Sequence, residues 1–317
     1  MGRKIDLTTK IGQLTFKNPV TVASGTFGSK DELKGYLNYS VLGAIVTKTV
    51  TLKPRAGNPM PRSWETPSGM LNAIGLQNKG IDDFIENKIP FFRNIKTHLI
   101  VNIAGESVHE FVSLAKRLDG ERGVSALELN ISCPNVKKGL EFCASPELAG
   151  EVVRAVKGAT RLPIFTKLSP EARDFLGVAE AVINSGSNAV SLINTIRGMA
   201  VDIENCRPQI ANVFGGLSGP AIRPIALRYV YEVKKRFDVP VMAMGGIANA
   251  QDALEFLITG ADLIAIGTAN FVNPRATVEV LSGIKAYLKR KRYRSIDQVR
   301  GSLKVKVKLK REGIPAG

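Results

Sequence analysis

Eight short runs of aliphatic and β-branched residues recur along the chain, each followed by a polar or glycine-rich loop and then a helical pattern. They are Val20–Ala23, Ala44–Thr47, Leu99–Ile103, Ala126–Leu129, Ile164–Leu168, Ala189–Ile193, Val241–Met244 and Leu263–Ile266. Between them lie amphipathic stretches at Val108–Leu118, Pro146–Lys157, Val178–Asn184, Ala221–Phe237 and Ala250–Ile258. Strands that alternate with helices predict βαβ units and a parallel sheet. Eight such units in 317 residues match an α/β fold of the (β/α)₈ type, the TIM barrel, which takes roughly 250 residues. A doubly wound sheet is the alternative, but no GxGxxG follows the first strand. Ile5–Leu7 and Gln13–Phe16 predict an N-terminal β-hairpin ahead of the barrel. Two connections, Thr49–Lys79 and Asn194–Gly219, are too long for plain connectors and predict lids or binding loops on the active face.

The barrel domain is expected over residues 1–288, with a basic C-terminal tail over 289–317. The net charge is +16, and 12 basic residues against Asp297 and Glu312 fall between Lys285 and Gly317. Such a tail can grip nucleic acid, an anionic membrane or an acidic partner. With only Tyr287 and Tyr293 as stacking platforms, a solvated end is the better reading, and nucleic acid is not the expected ligand. The alternation over Lys304–Lys310 predicts a short strand with one charged face. No apolar run reaches the roughly 18 residues of a membrane span, and no apolar core follows the charged N-terminus as in a secretory signal. The 3 cysteines cannot form a disulfide framework, so a cytoplasmic location is expected.

Polar residues cluster where the strands end. The first ends at Ser24, the second at Lys48, the third runs into Asn102 and the fourth into Asn130. The fifth carries Lys167, the sixth ends at Asn194-Thr195, the seventh at Gly245-Gly246 and the eighth at Gly267-Thr268. Singly, each is mundane: an Asn caps a helix, a Gly turns a chain. Together, in a barrel, they face one cavity at the C-terminal rim. The glycine turns after strands seven and eight are where barrels hold phosphate, with a helix N-terminus behind them to favour an anion. A phosphate-bearing ligand follows.

Cys133, in the NISCPN loop past strand four, is a candidate base or nucleophile if Lys48 or Lys167 stabilises its thiolate. Its bland reading is a small buried hydrophobe. The cysteine spacing fits no zinc site. The only histidines are His98, at the wrong end of strand three, and His109, in a helix. Histidine catalysis and a metal centre are therefore not expected.

The segments ASGTFG (23–28), GNPMPR (57–62), GMLNAIGLQN (69–78), ELNISCPNVKKG (128–139), TKLSP (166–170), INT (193–195), GGLSGPAI (215–222), MGGIANAQD (244–252) and GTANF (267–271) together resemble dihydroorotate dehydrogenase. The similarity is to the class 1 enzymes, and GGLSGPAI is similar to their NAD-linked heteromeric (B) type. The resemblance implies a barrel that binds flavin mononucleotide (FMN) and oxidises dihydroorotate to orotate in pyrimidine (UMP) synthesis. It implies that Cys133 removes the C5 proton while the C6 hydride goes to the flavin. Lys48, Asn72, Ala73, Ile74, Gly75, Leu76, Asn130, Asn194 and Thr195 would bind the substrate. Ser24, Lys48, Thr49, Asn102, Asn130, Lys167, Ile193, Gly219, Gly245, Gly246, Gly267 and Thr268 would bind the flavin. Lys48 would offset substrate charge, and Lys167 would hold a fixed charge by the flavin ring. The heteromeric type is a homodimer within a heterotetramer. Its second subunit carries FAD and an iron–sulfur cluster and passes electrons to NAD. Three cysteines cannot supply the four ligands of such a cluster here. The rival readings are a related FMN barrel reductase acting on a dihydropyrimidine or on dihydrouridine in RNA, a non-catalytic nucleic-acid binder, and a flavin-free isomerase or aldolase barrel.

Overall fold

The structure is a computed structural model that describes residues 5–28, 32, 35–131 and 142–305. Its strands, in chain order, are β1 Thr9–Ile11, β2 Leu14–Phe16, β3 Val20–Val22, β4 Ala44–Val46, β5 Ser63–Thr66, β6 Gly69–Asn72, β7 His98–Ile103 and β8 Ala126–Asn130. They continue with β9 Ile164–Lys167, β10 Ala189–Leu192, β11 Ile196–Met199, β12 Val201–Asp202, β13 Arg207–Pro208, β14 Phe214–Ser218, β15 Val241–Met244 and β16 Leu263–Ile266. Eight of these form one parallel sheet in the order β3-β16-β15-β10-β9-β8-β7-β4. The Gly43 amide donates to the Val20 carbonyl at 2.8 Å and joins the two ends of that sheet. A Cβ on Gly43 would overlap the Asn18 carbonyl oxygen, so glycine is required at the closure. This is the (β/α)₈ barrel that the sequence pattern predicts.

Helices return the chain between barrel strands. Ser107 caps Val108–Leu118 by accepting from the Glu110 amide, and Ser145 caps Pro146–Lys157 by accepting from the Leu148 amide. Asp174 does the same for Phe175–Asn184, and Asn249 with Asp252 closes a capping box on Ala250–Thr259. Such caps satisfy amides that would otherwise lack partners.

The period-two alternation of each strand sorts its residues into two cores. Val20, Val22, Leu127, Leu129, Val190 and Leu192 face the helices. Ala44, Val46, Ile100, Ala126, Phe165 and Ala189 fill the lumen. The lumen's lower end is stoppered by Ile11, Leu14 and Phe16 of the hairpin. That hairpin pairs Thr9–Ile11 with Leu14–Phe16. Its first arm therefore lies four residues beyond the expected Ile5–Leu7, because alternating Thr9 and Ile11 supply the buried face. Asp6 instead bridges to Ser295.

The two long connections contain strands of their own. They combine into one antiparallel sheet, in the order β11-β14-β6-β5. Gly216 pairs with Asn72 and with Arg197 in that sheet. The two segments read as separate loops are thus one cap.

The helix Ala276–Arg290, with Val280, Leu281, Ile284 and Leu288 buried, runs across residue 288. The basic segment that follows is packed: Ile296 and Val299 are 0% and 1% exposed, and the Leu303 amide donates to the Ile258 carbonyl at 3.1 Å. Arg300 pairs with Asp262 at 3.5 Å. Lys304 and Val305 are in no strand. The rest of the strand expected over Lys304–Lys310 lies outside the described residues. Among the described residues, no helix is long and apolar enough to cross a membrane.

Candidate active site

Two residues up from the apolar filling, the lumen-facing rows of β4, β7, β8 and β9 become polar. Val46 is followed by Lys48, Ile100 by Asn102, Ala126 by Glu128 and Asn130, and Phe165 by Lys167. Because all eight strands are parallel, these side chains converge at one rim. The same alternation that makes the core therefore makes the site.

The rim is cross-linked. Thr47 Oγ1 accepts from the Asn102 amide at 3.1 Å, and Asn102 Nδ2 donates to Glu128 Oε2 at 2.5 Å. Asn130 lies beside Lys167 in the β8–β9 register, and Asn194 Nδ2 reaches Asn130 Oδ1 at 3.5 Å. Ser24 Oγ and Thr49 Oγ1 stand 3.5 Å apart. Thr268 Oγ1 donates to Ser218 Oγ at 2.8 Å and so ties the last barrel turn to the cap.

The cap brings the remaining residues over the mouth. Asn72 Nδ2 donates to the Gly216 carbonyl at 3.4 Å. A Cβ on Gly216 would overlap Thr195 Oγ1, so Asn72 and Thr195 flank one glycine. The Ala73–Leu76 backbone is pinned by Asn58: its amide donates to the Ile74 carbonyl at 3.0 Å and its Nδ2 to the Ala73 carbonyl at 2.9 Å. Gly75 and Leu76 are both in the left-handed region, at φ +76° and +57°. Leu76 carries the strain that glycine avoids. Burial, first, and the nearby Arg62 guanidinium, second, hold the Lys48 ammonium below the usual lysine range, while Glu32 opposes them.

The glycine turns are shaped for close approach. Gly219, Gly245 and Gly246 have φ of +97°, +122° and +75°. A Cβ on Gly246 would lie 2.7 Å from Arg223 Cβ and 2.9 Å from the Gly219 carbonyl oxygen. The helix behind them corrects one expectation. Asn249 and Asp252 already accept from the amides of residues 248, 249, 251 and 252. After β15 the donors left to an anion are those of the glycine turn, because that helix's N-terminus satisfies itself, whereas Ala269–Val272 after β16 has no side-chain cap.

A fully buried polar atom without a partner costs about 1–3 kcal/mol. Among the described residues the lumen holds three: Asn102 Oδ1, Glu128 Oε1 and Ser191 Oγ. A planar heterocycle with amide edges would satisfy such atoms, and the glycine turns would take its phosphate. The residues present therefore fit a flavin mononucleotide.

The dihydroorotate dehydrogenase family model matches residues 6–288. The catalytic subunit of dihydroorotate dehydrogenase B (NAD(+)) from Desulforamulus reducens is 52% identical over 286 residues, spanning 90% of this chain and 94% of that protein. The same-named protein of Thermoanaerobacter sp. is 50% identical over 302 residues, 95% of this chain and 100% of its own length. That of Geotalea daltonii is 48% identical over 303 residues, 95% of this chain and 99% of its own. The chain belongs to the dihydroorotate dehydrogenase family.

As a dihydroorotate dehydrogenase homologue, the chain has its family-matched positions gathered at the rim and beneath the cap. Cys133 lies outside the described residues. Of the other cysteines, Cys206 is exposed and Cys143 is buried. Burial pushes the Cys143 thiol up to about 11, which leaves it protonated at neutral pH. His98 sits at the stoppered end, bonded to Ser125 Oγ and the Thr15 carbonyl. Among the described residues, no group of three His, Cys, Asp or Glu could hold a metal. Sequence reasoning passed over Glu128, Ser191 and Arg62. The first two were visible as the lumen-facing positions two residues before Asn130 and Ile193. Arg62 required the cap, which carries it toward Lys48.

Proposed function

We propose that this chain is the catalytic subunit of a dihydroorotate dehydrogenase, oxidising dihydroorotate to orotate in pyrimidine biosynthesis with flavin mononucleotide as its resident cofactor. The observation that carries the reading is the polar end of the lumen, where Asn102 Oδ1, Glu128 Oε1 and Ser191 Oγ are buried without partners, in a barrel whose β15 and β16 end in glycine turns. The family match supports it.

Ser24, Lys48, Thr49, Asn102, Asn130, Lys167, Ile193, Gly219, Gly245, Gly246, Gly267 and Thr268 would hold the cofactor, which when bound supplies a two-electron acceptor for the hydride leaving substrate C6. Lys167 would supply a fixed positive charge to the ring, and the glycine turns would hold the phosphate. Lys48, Asn72, Ala73, Ile74, Gly75, Leu76, Asn130, Asn194 and Thr195 hold the substrate. An asparagine amide carries one acceptor and two donor hydrogens, matching the amide edges of dihydroorotate. Lys48, with Arg62 beside it, matches the substrate's carboxylate. Cys133 accepts the C5 proton, so that loss of one proton and one hydride leaves the C5–C6 double bond of orotate. The cap excludes water while this happens.

The relatives are named as catalytic subunits of an NAD-dependent enzyme. We infer a homodimer within a heterotetramer, whose second subunit carries FAD and an iron–sulfur cluster and passes electrons to NAD. The test is steady-state turnover of the purified chain. Dihydroorotate should reduce an artificial acceptor dye but not NAD, and adding the partner subunit should restore NAD reduction. Rapid NAD reduction by the chain alone contradicts the partner; no dye reduction contradicts the substrate.

A further inference from the structure

Glu128 is 0% exposed, as is Asn102. Among the described residues it forms no ion pair, and its one hydrogen bond comes from Asn102 Nδ2 to Oε2, leaving Oε1 without a partner. A carboxylate only accepts. It therefore fixes which way the Asn102 amide points: nitrogen toward Glu128, oxygen away from it. Asn102 Oδ1 is then left buried and unpartnered. The backbone on either side is clamped, since the Asn102 amide donates to Thr47 Oγ1 and its carbonyl accepts from the Val50 amide at 2.8 Å. The amide consequently has little freedom left except rotation, and Glu128 removes that.

We propose that Glu128 is a positioning residue: its carboxylate locks the Asn102 amide so that Oδ1 and the second N–H are presented to the amide edge of the bound ring. The inference rests on the flavin reading above and adds a residue to it. A retained buried carboxyl with one acceptor unused costs the apoprotein stability, and the preorganised acceptor is what it gives in return.

The test is FMN affinity of the full-length apoprotein, read by quenching of flavin fluorescence, with thermal unfolding measured alongside. Glu128→Leu keeps the volume and removes the acceptor; FMN affinity should fall ~10-fold or more, the loss expected for a hydrogen bond to a charged group. Glu128→Gln keeps a neutral acceptor and should lose only about threefold, because charge assistance is gone. In an Asn102→Ala background both losses should vanish, since Glu128 acts through Asn102. If Glu128→Leu does not fold, the Glu128→Gln cycle decides alone. Unchanged affinity in the variants that fold, or losses that add to that of Asn102→Ala, overturn the proposal while wild-type FMN binding leaves the flavin reading standing. A wild-type apoprotein that takes up no FMN overturns both.

Discussion

Asn194 Nδ2 stands 3.5 Å from Asn130 Oδ1, although Asn130 ends β8 and Asn194 follows β10, with β9 and its Lys167 between those strands. The pair spans the rim above Lys167 and makes one polar surface from two non-neighbouring strands. Asn194→Asp keeps the volume but turns the donor into a charged acceptor. Orotate affinity should fall ~10-fold or more, while FMN content, read as the ratio of visible to ultraviolet absorbance, should not change.

Two glycine substitutions should separate fold from ligand. Gly246→Ala forces a side chain into φ +75° and within 2.7 Å of Arg223 Cβ. It should cost about 1–3 kcal/mol of stability and release FMN. At Gly267 the φ is not left-handed and the nearest atom to an added Cβ is Ala23 Cβ at 3.5 Å. Gly267→Ala should therefore leave the melting temperature near wild type and lower FMN affinity alone, by intruding on the space its phosphate takes.

The Lys48 ammonium titrates below the ordinary lysine range. A lysine is charged below its pKa, so binding of the orotate anion should weaken as pH climbs through the lowered value. The same shift means the folded state gives up this proton more readily than the unfolded chain. Stability should accordingly gain from this group as pH rises between the folded and the unfolded value. Lys48→Arg stays charged throughout and should remove the alkaline limb from a titration of orotate affinity against pH. An unaltered limb would assign it to another group.

The cysteines should divide sharply. Cys133→Ser should keep the flavin and lose most turnover at neutral pH, since a hydroxyl is a far weaker base than a thiolate. Cys143, whose thiol burial pushes up to about 11, takes no part. Cys143→Ala should retain turnover within about twofold, because a thiol held protonated cannot serve as the base. Steady-state rates across a pH series check both.

Truncation should locate the true end of the barrel. Ending the chain at Val305 keeps buried Ile296 and Val299 and the Arg300–Asp262 pair and should leave the flavin content unchanged. Ending it at Arg290 removes buried Ile296 and Val299 and the Arg300–Asp262 pair. Each fully buried aliphatic contributes about 1.5–3 kcal/mol, so this shorter chain should unfold at markedly lower temperature.

Much of this architecture was legible in the residues. The eight strands were readable because parallel strands buried on both faces are nearly continuous aliphatic runs, and Val241–Met244 and Leu263–Ile266 match the observed bounds. The rim was readable because polar residues ended those runs. The cap was not: its edge strand Ser63–Thr66 is mostly exposed, and Gly69–Asn72 pairs with Phe214–Ser218 up to 148 residues away, so no local pattern announces the four-stranded sheet. The packing of Ile296 and Val299 was hidden by the basic residues around them, whose charge suggested a free tail. Glu128 was passed over because a lone carboxyl in an aliphatic run offers no motif, and its meaning depends on Asn102 across the strand pair.

The most direct measurement is the visible absorption spectrum of the purified chain, before and after anaerobic addition of dihydroorotate. A flavin band that bleaches on addition is the predicted result, and shows cofactor and substrate together. A colourless protein that takes up no FMN, or a flavin band that dihydroorotate leaves untouched, contradicts the proposed function.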